Sequence, residues 1–244
     1  MYLGRTDIEL LYRESLLALK FVLEQSGVSS WAKWIATDLD KWENEKSVQH
    51  HVSAYGGMGS LNDLIICTEN KHSVTKSQEP WVNSLLLDLC SLCYTFAIAL
   101  KDQKEITLEE IVKGMGSYIY KLQGWRCLSC GYAEVSLNEL ENFVSSSLVR
   151  KGVIQAMLSN NLVHYTKKTA QLDIPDAYDY RGNLKKMAIR SNIAISNRLG
   201  WLRPCPKCSS EDTAVYRWEK RKTRKWLLFQ VDIFKPSEDN LKIR

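Results

Sequence analysis

Two pairs of cysteines in this chain have the spacing of metal-binding knuckles. Cys127 and Cys130 form the first C-x2-C pair, and Cys205 and Cys208 form the second. Two thiolates at this spacing can grip one metal ion from a tight turn, and four thiolates suit tetrahedral zinc. We therefore predict a structural Zn²⁺, because four protein ligands leave no coordination position for a substrate. The alternative is four cysteines that are free or joined in disulfides.

The residues around these pairs indicate how the two arms would meet. Gly131 and Pro206 are turn formers beside or within the knuckles. Residues 213–219 and 226–234 alternate apolar and polar side chains, which is typical of a hairpin. A knuckle followed by a hairpin resembles the zinc-ribbon fold class. Because the two pairs are far apart in the sequence, we expect a helical insertion over residues 133–199 that splits the ribbon.

A strongly basic segment lies between the two alternating stretches. Five of six consecutive positions are cationic and a tryptophan follows: Lys220, Arg221, Lys222, Arg224, Lys225 and Trp226. We interpret the segment as the turn of the hairpin, where cations would neutralise the phosphates of a nucleic acid. Trp226, with Trp218 and Tyr216, would stack on bases. The alternatives are a turn kept soluble by its charge and a contact with an acidic protein.

A glycine-rich loop in the N-terminal half is the second candidate site. The residues of interest are His50, His51, Tyr55, Gly56, Gly57, Gly59, Ser60, Asn62 and Asp63. Clustered glycines allow positive φ angles and close approach of a ligand or another chain. The two histidines and Asp63 have the side-chain types of acid–base catalysis. Three interpretations stay open: a structural turn, a loop that binds a ligand or partner, and a catalytic site.

The same region resembles a family of short bacterial proteins of unknown function. Its signature is a Trp-rich helix followed by Tyr/Phe-Gly-Gly-Met-Gly-Ser-x-Asn-Asp-Leu, then Asn-x-His and Val-Asn. The matching positions are Trp31, Trp34, Tyr55 to Leu64, Asn70, His72, Val82 and Asn83. The resemblance covers residues 6–101 and implies a small compact domain without an assigned activity. Lys71 stands where the family often has glycine, so that turn is expected to differ.

Local patterns predict the remaining elements. Cys90 and Cys93 repeat the C-x2-C spacing inside an apolar helix without glycine, so we expect them in the core. In the N-terminal part we predict a helix capped by Thr6 and Glu9 and ending at Gly27, followed by a Trp-rich helix from Ser29 or Ser30. A short buried strand over residues 64–67 and an apolar helix over 81–100 come next. The last prediction is a helix capped by Thr107 and Glu110 that continues through Leu122.

Composition and charge divide the 244-residue chain at about residue 103. Residues 1–103 carry 9 Lys+Arg and 13 Asp+Glu, a net −4, and residues 104–244 carry 24 and 15, a net +9. We therefore expect an α+β, mainly helical protein with a helical domain at 1–103 and the split zinc ribbon at 104–244. The seven cysteines and the absence of a long apolar run or signal pattern indicate a cytoplasmic protein without a membrane segment.

Three functions fit these observations. The first is a non-enzymatic zinc-binding adaptor or accessory protein whose basic domain contacts nucleic acid. The second is an immunity- or defence-type module that binds a protein through the acidic, Trp-rich N-terminal domain. The third is an enzyme that uses His50, His51 and Asp63 near the glycine loop. Salt-dependent binding to nucleic acid separates the first from the second, and turnover lost without unfolding would identify the third.

Overall fold

The computed structural model describes residues 2–115, 121–170, 176–196, 204–225 and 229–237, with backbone alone at 176–180, 221–225 and 229–232. The chain forms two units. Unit 1 comprises Met1–Gly116 and Leu148–Asp173, and unit 2 comprises Ser117–Ser147 and Ile174–Arg244. This division differs from the predicted boundary after residue 103, because the first unit also takes residues 104–116 and a segment from the middle of the chain.

The fold is α+β and mainly helical, as the sequence predicts. The described residues form eight α-helices and seven strands. The helices are α1 Arg5–Gln25, α2 Ser29–Glu45, α3 Gln49–Val52, α4 Glu79–Lys101, α5 Leu108–Gly114, α6 Leu137–Leu158, α7 Leu162–Ala170 and α8 Asp176–Arg190. The strands are β1 Tyr2–Leu3, β2 Ile106–Thr107, β3 Lys121–Cys127, β4 Ala133–Ser136, β5 Ile193–Ser196, β6 Thr213–Lys225 and β7 Phe229–Pro236. The boundary between the units falls inside α6.

Unit 1 is built around α1, which packs against α2, α4 and α7. Leucine and isoleucine recur at helical spacing in α1 and so form one apolar face. This face is buried where α1 packs in unit 1. β1 and β2 form a short antiparallel pair in which Leu3 lies opposite Ile106. The pair ties the start of the chain to the segment before α5.

Helix ends follow local sequence signals, with one exception. α1 begins at Arg5, and the N–H of Gly4 donates to Asp7 Oδ2, so the predicted cap at Thr6 and Glu9 is wrong. Gly27 has φ +73° directly after α1, as a C-terminal glycine should. Ser29 opens α2, as predicted. Two acidic residues, Asp7 and Glu9, lie close together at the start of α1. Asp7 is the one that bonds to the backbone there, and the sequence alone did not distinguish them.

The capping box before α5 is confirmed, but the length of the helix is not. The N–H of Glu110 donates to Thr107 Oγ1 over 3.1 Å, and the N–H of Thr107 donates to Glu110 Oε2 over 2.7 Å. α5 nevertheless ends at Gly114, and Leu122 lies in β3 rather than in a helix. Leu122 is fully buried opposite Trp218. The sheet therefore overrides the helical periodicity there.

The extended segment at residues 64–67 is not a strand. A 3₁₀ turn over Leu61–Asp63 precedes it and another over Thr68–Asn70 follows. The side chain of Asn83 takes the place of a neighbouring strand: its Oδ1 accepts from Ile66 N–H over 2.8 Å, and its Nδ2 donates to Ile66 O over 2.6 Å. One amide thus satisfies both backbone groups of a fully buried residue.

α4 is the core helix of unit 1, and Cys90 and Cys93 are buried in it, as predicted. Among the described helices, α4 alone has the length and apolar composition of a membrane span, but most of it is buried, as in the core helix of a soluble protein. Asp88 on its buried side pairs with Arg150 through two bonds to Oδ1, from Nε at 2.9 Å and Nη2 at 2.6 Å. Arg150 also donates to Met115 O, so one buried cation joins three segments.

Unit 2 contains a five-stranded sheet in the order β5-β4-β3-β6-β7. β4 and β5 are parallel, and the other neighbours are antiparallel. The predicted insertion at 133–199 is therefore not purely helical, because it supplies β4 and β5 to the sheet. One face of the sheet is buried at Leu122, Trp218 and Phe234, and Phe143 of α6 packs edge-on against Phe234.

Candidate metal centre

The first cysteine pair lies in a tight turn at the end of β3. The N–H of Gly131 donates to Cys127 O over 3.0 Å, and the N–H of Cys127 donates to Tyr132 O over 2.8 Å. Gly131 has φ +74°, a backbone conformation that only glycine adopts without strain. The sequence-based choice of Gly131 as a turn former is confirmed.

The second pair lies in a turn of the same construction. The N–H of Ser209 donates to Cys205 O over 2.7 Å, and the N–H of Cys205 donates to Ser210 O over 2.8 Å. Ser209 follows its cysteine by four residues, as Gly131 does in the first turn, and has φ +55°. The two turns are therefore equivalent. Sequence reasoning singled out Pro206 and missed Ser209, although the offset of four from the cysteine would have identified it.

The sheet brings the two turns together. β3 ends at Cys127 and β6 begins at Thr213, and these two residues are Cα partners in the β3–β6 ladder. The N–H of Leu128 donates to Asp212 O over 2.9 Å just beyond the last pair. The ladder explains how knuckles so distant in the sequence meet: each is attached to one of two adjacent strands.

The four cysteine sulfurs form one cluster. Cys127 Sγ lies 3.6 Å from Cys208 Sγ, and Cys130 Sγ lies 3.6 Å from Cys205 Sγ. All four sulfurs lie within 4.8 Å of one another. This group could hold a metal ion, as the sequence predicts. Cys127 and Cys205 are buried, whereas Cys208 is at the surface.

The clustered thiols hydrogen-bond to one another and to nearby backbone N–H groups, and their pKa values shift in different directions. A hydrogen bond from the backbone N–H of Cys130 lowers the pKa of the Cys127 thiol to about 7. A hydrogen bond from the backbone N–H of Ser210 lowers the pKa of the Cys208 thiol, but desolvation and the three neighbouring thiols outweigh it and raise that pKa to about 12. The hydroxyls of Ser129 and Ser210 contact each other at 2.8 Å and link the two turns. In α4, burial raises the pKa of the Cys90 thiol to about 12. Cys90 and Cys93 are buried in α4 and lie outside the group of four clustered sulfurs, so the C-x2-C pattern in α4 belongs to the core.

The basic run lies within a strand, which corrects the prediction of a turn. β6 continues through Lys220–Lys225, and its Cα partners in β7 run from Phe234 back to Phe229. The connection between the strands follows Lys225, and Trp226 lies outside the described residues. The run is extended because backbone pairing with β7 holds it, and lysine and arginine are tolerated in a strand that does not depend on burial of their side chains.

The aromatic residues near the run differ in accessibility. Lys220 is exposed, but Trp218 is only 4% exposed and lies on the core side of the sheet. Trp218 is therefore not available for stacking on a base. Tyr216 is half-buried and holds Arg126, whose Nη1 donates to the Tyr216 hydroxyl over 3.1 Å. The side chains of Arg221, Lys222, Arg224 and Lys225 lie outside the described residues.

The glycine loop of unit 1 has the predicted backbone. Gly56, Gly57 and Gly59 have φ +95°, +92° and +78°, and no atom lies within 4 Å of a Cβ built on any of them. The glycines are thus required by their φ angles and not by crowding. Asp63 Oδ2 accepts from the N–H groups of Gly59 at 2.9 Å and Ser60 at 3.1 Å. Its carboxylate caps this turn, and Asn62 beside it is exposed.

The histidines pair with Asp38 rather than with Asp63. Asp38 Oδ1 contacts His50 Nδ1 at 2.5 Å, and Oδ2 contacts His51 Nδ1 at 2.8 Å. Asp38 and His51 are each 1% exposed. His50 is half-buried and stacks on Trp34, with ring centroids 4.3 Å apart. Sequence reasoning missed Asp38, although a lone acid between the apolar positions of an amphipathic helix was a usable signal.

Tyr55 completes this buried cluster. Its hydroxyl lies 3.0 Å from His51 Nε2 and donates to Cys90 O over 3.0 Å. Burial raises the pKa of Tyr55 well above its ordinary value, so the phenol stays protonated. The side chains join α2, α3 and α4 through charge-assisted bonds. We call Asp38, His50, His51 and Tyr55 the clamp. Its geometry is structural, since both ring nitrogens of His51 have partners, Asp38 at Nδ1 and Tyr55 at Nε2.

A comparison with known protein families gives a match that covers part of unit 1. The family model of a domain of unknown function, DUF6966, matches residues 24–75. The match includes Asp38, both clamp histidines and the glycine loop, and it ends before α4. No curated protein and no solved structure matches the chain. The cysteine cluster lies outside the matched residues.

Proposed function

We propose that the chain is a non-enzymatic, zinc-binding accessory or adaptor protein of the cytoplasm whose unit 2 binds nucleic acid. Thiolates bind Zn²⁺ at roughly 2.3 Å, so the sulfurs of a tetrahedral site lie about 3.8 Å apart. The separations of 3.6 Å in the cysteine cluster suit this geometry. Cys127, Cys130, Cys205 and Cys208 would all be ligands. The zinc would then stabilise the fold and take no part in chemistry, because its coordination sphere is closed.

The observation that carries the nucleic-acid proposal is the continuity of β6. The strand starts beside the metal centre at Thr213 and runs through the basic segment to Lys225. A strand rises about 3.3 Å per residue, so Lys220 and Lys225 are about 17 Å apart along it. Duplex DNA carries one charge per about 1.7 Å of its axis with both strands counted, so a duplex segment of this length carries about ten phosphate charges, of which those on the near side can be reached. A regular strand presents its cations without the entropy loss of ordering a mobile turn.

Charge separates the two units in the same sense. Unit 2 contains 18 Lys+Arg and 11 Asp+Glu, a net +7, whereas unit 1 contains 15 and 17, a net −2. A basic unit attracts polyanions and speeds their association, and the effect falls with ionic strength. The net positive charge of unit 2 supports a polyanionic partner for that unit. Unit 1 has a net negative charge, so its glycine loop and its clamp receive no such support.

The test is the salt dependence of binding to a labelled oligonucleotide, measured by fluorescence anisotropy on the full chain. Replacing Arg221, Lys222 and Arg224 together with glutamine removes up to three phosphate contacts. The log–log slope of affinity against salt should then flatten by about 2.7 units on duplex or about 2.1 on single strands. Bound metal and circular dichroism should not change, because the substitutions lie beyond the ladder with β3.

A matched control is available on α8 of the same unit. Lys185, Lys186 and Arg190 are exposed, and their change to glutamine removes the same charge. This variant should keep at least most of the wild-type slope. If it flattens the slope as much as the β6 variant, net charge and not the strand governs binding. No binding at low salt by the wild-type chain refutes the nucleic-acid proposal and favours a protein partner.

The two other functions stay predictions with less support. An enzyme using His50, His51 and Asp63 would need these side chains together, and the contacts of Asp63 are with its own turn. A protein partner at the Trp-rich helix would contact Trp31 and Trp34, which are half-buried and whose ring centroids are 5.6 Å apart. The DUF6966 match covers this region but its description names no activity.

A further inference from the structure

The sheet of unit 2 has one buried and one open face. Along β3, Leu122 and Gly124 are buried, whereas Gln123 and Trp125 on the opposite face are half-buried. On β6, Trp218 is buried on the same face as Leu122, whereas Val215, which lies opposite Trp125, is 37% exposed. An antiparallel sheet commonly packs one face on the core and turns the other to water. We define the open face by Lys121, Gln123, Trp125, Val215, Arg217, Glu219 and Lys235.

An aromatic platform occupies the part of the open face nearest the metal centre. The rings of Trp125 and Tyr132 have centroids 5.5 Å apart with an interplanar angle of 51°. Tyr132 is held from the other side, because its hydroxyl donates to Glu134 over 3.0 Å. Trp125 directly opposes Val215, which extends the apolar surface onto β6. Trp125 is thus fixed in place while part of its indole stays accessible.

Cations border this platform. Arg217 donates from Nε to the neutral amide oxygen of Gln123 over 3.2 Å, two register positions from Trp125. Lys235 is exposed on the adjacent strand β7. Lys121 lies 3.7 Å from Glu219, and the other carboxylate on this face, Glu134, is only 8% exposed. Glu219 lies between Lys121 and Lys235 in the register. The three cations of this face, Lys121, Arg217 and Lys235, therefore outnumber its two carboxylates, Glu219 and Glu134.

We propose that the open face binds single-stranded nucleic acid, with an unpaired base stacked on Trp125 and the backbone phosphates beside Arg217 and Lys235. This inference rests on the proposed function of unit 2 and names the form of its ligand. Stacking on an aromatic side chain requires a base whose face is free, and in a duplex each face is covered by the next base pair. The basic run of β6 supplies affinity for either form, and Trp125 supplies the preference for single strands.

The experiment compares one labelled 12-nucleotide strand, alone and annealed to its complement, by anisotropy with the full chain. Trp125→Leu should weaken binding of the single strand by about 5- to 150-fold, the effect of losing one stacked base. Duplex affinity and both salt slopes should stay at the wild-type values. Trp125→Phe should retain most of the single-strand affinity, because it keeps a ring.

Trp31→Leu is the matched control, because Trp31 is also half-buried beside another aromatic ring but lies in unit 1. It should change neither affinity. A measurement on the wild-type chain covers the case in which Trp125→Leu does not fold. A single strand carrying 5-iodouracil, irradiated in the complex, should crosslink to Trp125 or Tyr132, as mapped by mass spectrometry.

The outcomes distinguish this inference from the proposed function. Equal loss of single-strand and duplex affinity in Trp125→Leu, no loss in either, or crosslinks confined to other residues overturns the base-stacking site while the binding by β6 stands. A wild-type chain that binds neither oligonucleotide at low salt overturns both. Selective loss with the single strand, together with crosslinks at the platform, supports both.

Discussion

Gly124 in β3 occupies a position where a methyl group has no room. A Cβ built on Gly124 would lie 2.3 Å from the carbonyl oxygen of Glu134, 2.7 Å from Val135 Cγ1 and 3.1 Å from Trp218 Cζ3. The nearest atom belongs to the backbone of β4, which is paired with β3 on one side and β5 on the other. It cannot rotate away as a side chain would. We predict that Gly124→Ala strongly destabilises unit 2.

The size of the effect follows from these contacts. Carbon–oxygen contacts between strands are about 3.3–3.6 Å, so the two strands must separate by about 1 Å. Such a shift breaks about two hydrogen bonds, worth about 1 kcal/mol each, and overpacking adds about 1–3 kcal/mol. Alanine gives back about 0.4–1 kcal/mol by restricting the unfolded chain. The free energy of unfolding of unit 2 should therefore fall by about 2–5 kcal/mol.

Urea denaturation followed by tryptophan fluorescence and circular dichroism measures this change. Gly182→Ala is the control, because Gly182 lies in α8 of the same unit and no atom lies within 4 Å of its Cβ. This variant should raise the free energy of unfolding by about 0.5–1 kcal/mol, since alanine favours a helix. The same chemical change should thus have opposite signs at two positions in one unit.

A Gly124→Ala variant that unfolds within 1 kcal/mol of the wild type would refute the argument. That outcome would mean that β3 and β4 do not approach each other as described. A loss of similar size in Gly182→Ala would show instead that unit 2 tolerates no substitution, whatever its contacts.

Three further predictions concern the metal, a buried ion pair and the glycine loop. Cys208→Ser should reduce bound metal to well below one ion per chain, as measured by elemental analysis, because three sulfurs leave the site open. Asp88→Asn should lower the free energy of unfolding of unit 1 by about 3–5 kcal/mol, because Arg150 would lose its buried counter-charge. Gly57→Ala should lower it by roughly 1–2 kcal/mol in the same urea assay, because φ +92° strains any L-residue.

Each of these predictions has a control or a contradicting result. Cys67→Ser should keep the metal, because Cys67 lies outside the cluster. Replacing both Asp88 and Arg150 with leucine and methionine should destabilise less than Asp88→Asn, since no charge is left unpaired. A Gly57→Ala variant as stable as the wild type would show that the loop adopts ordinary backbone angles in solution.

The amino-acid sequence alone determined the features that depend on neighbouring residues. The C-x2-C spacing identified the four clustered cysteines, Thr107 and Glu110 marked the start of α5, and the clustered glycines indicated positive φ angles. These signals are local, because a turn or a cap is specified by residues within about one helical turn of each other. The same reasoning gave the α+β, mainly helical class and the buried position of Cys90 and Cys93.

Only the tertiary structure decided what depends on partners distant in the chain. The pairing of Cys127 with Thr213 joins the two knuckles, and β7 holds the basic run as a strand although its composition is that of a turn. Asp38 reads as an ordinary helical acid until α3 brings His50 and His51 against it. Strand register and buried charge pairs are selected by the free energy of long-range packing, and residue types along one segment do not contain that information.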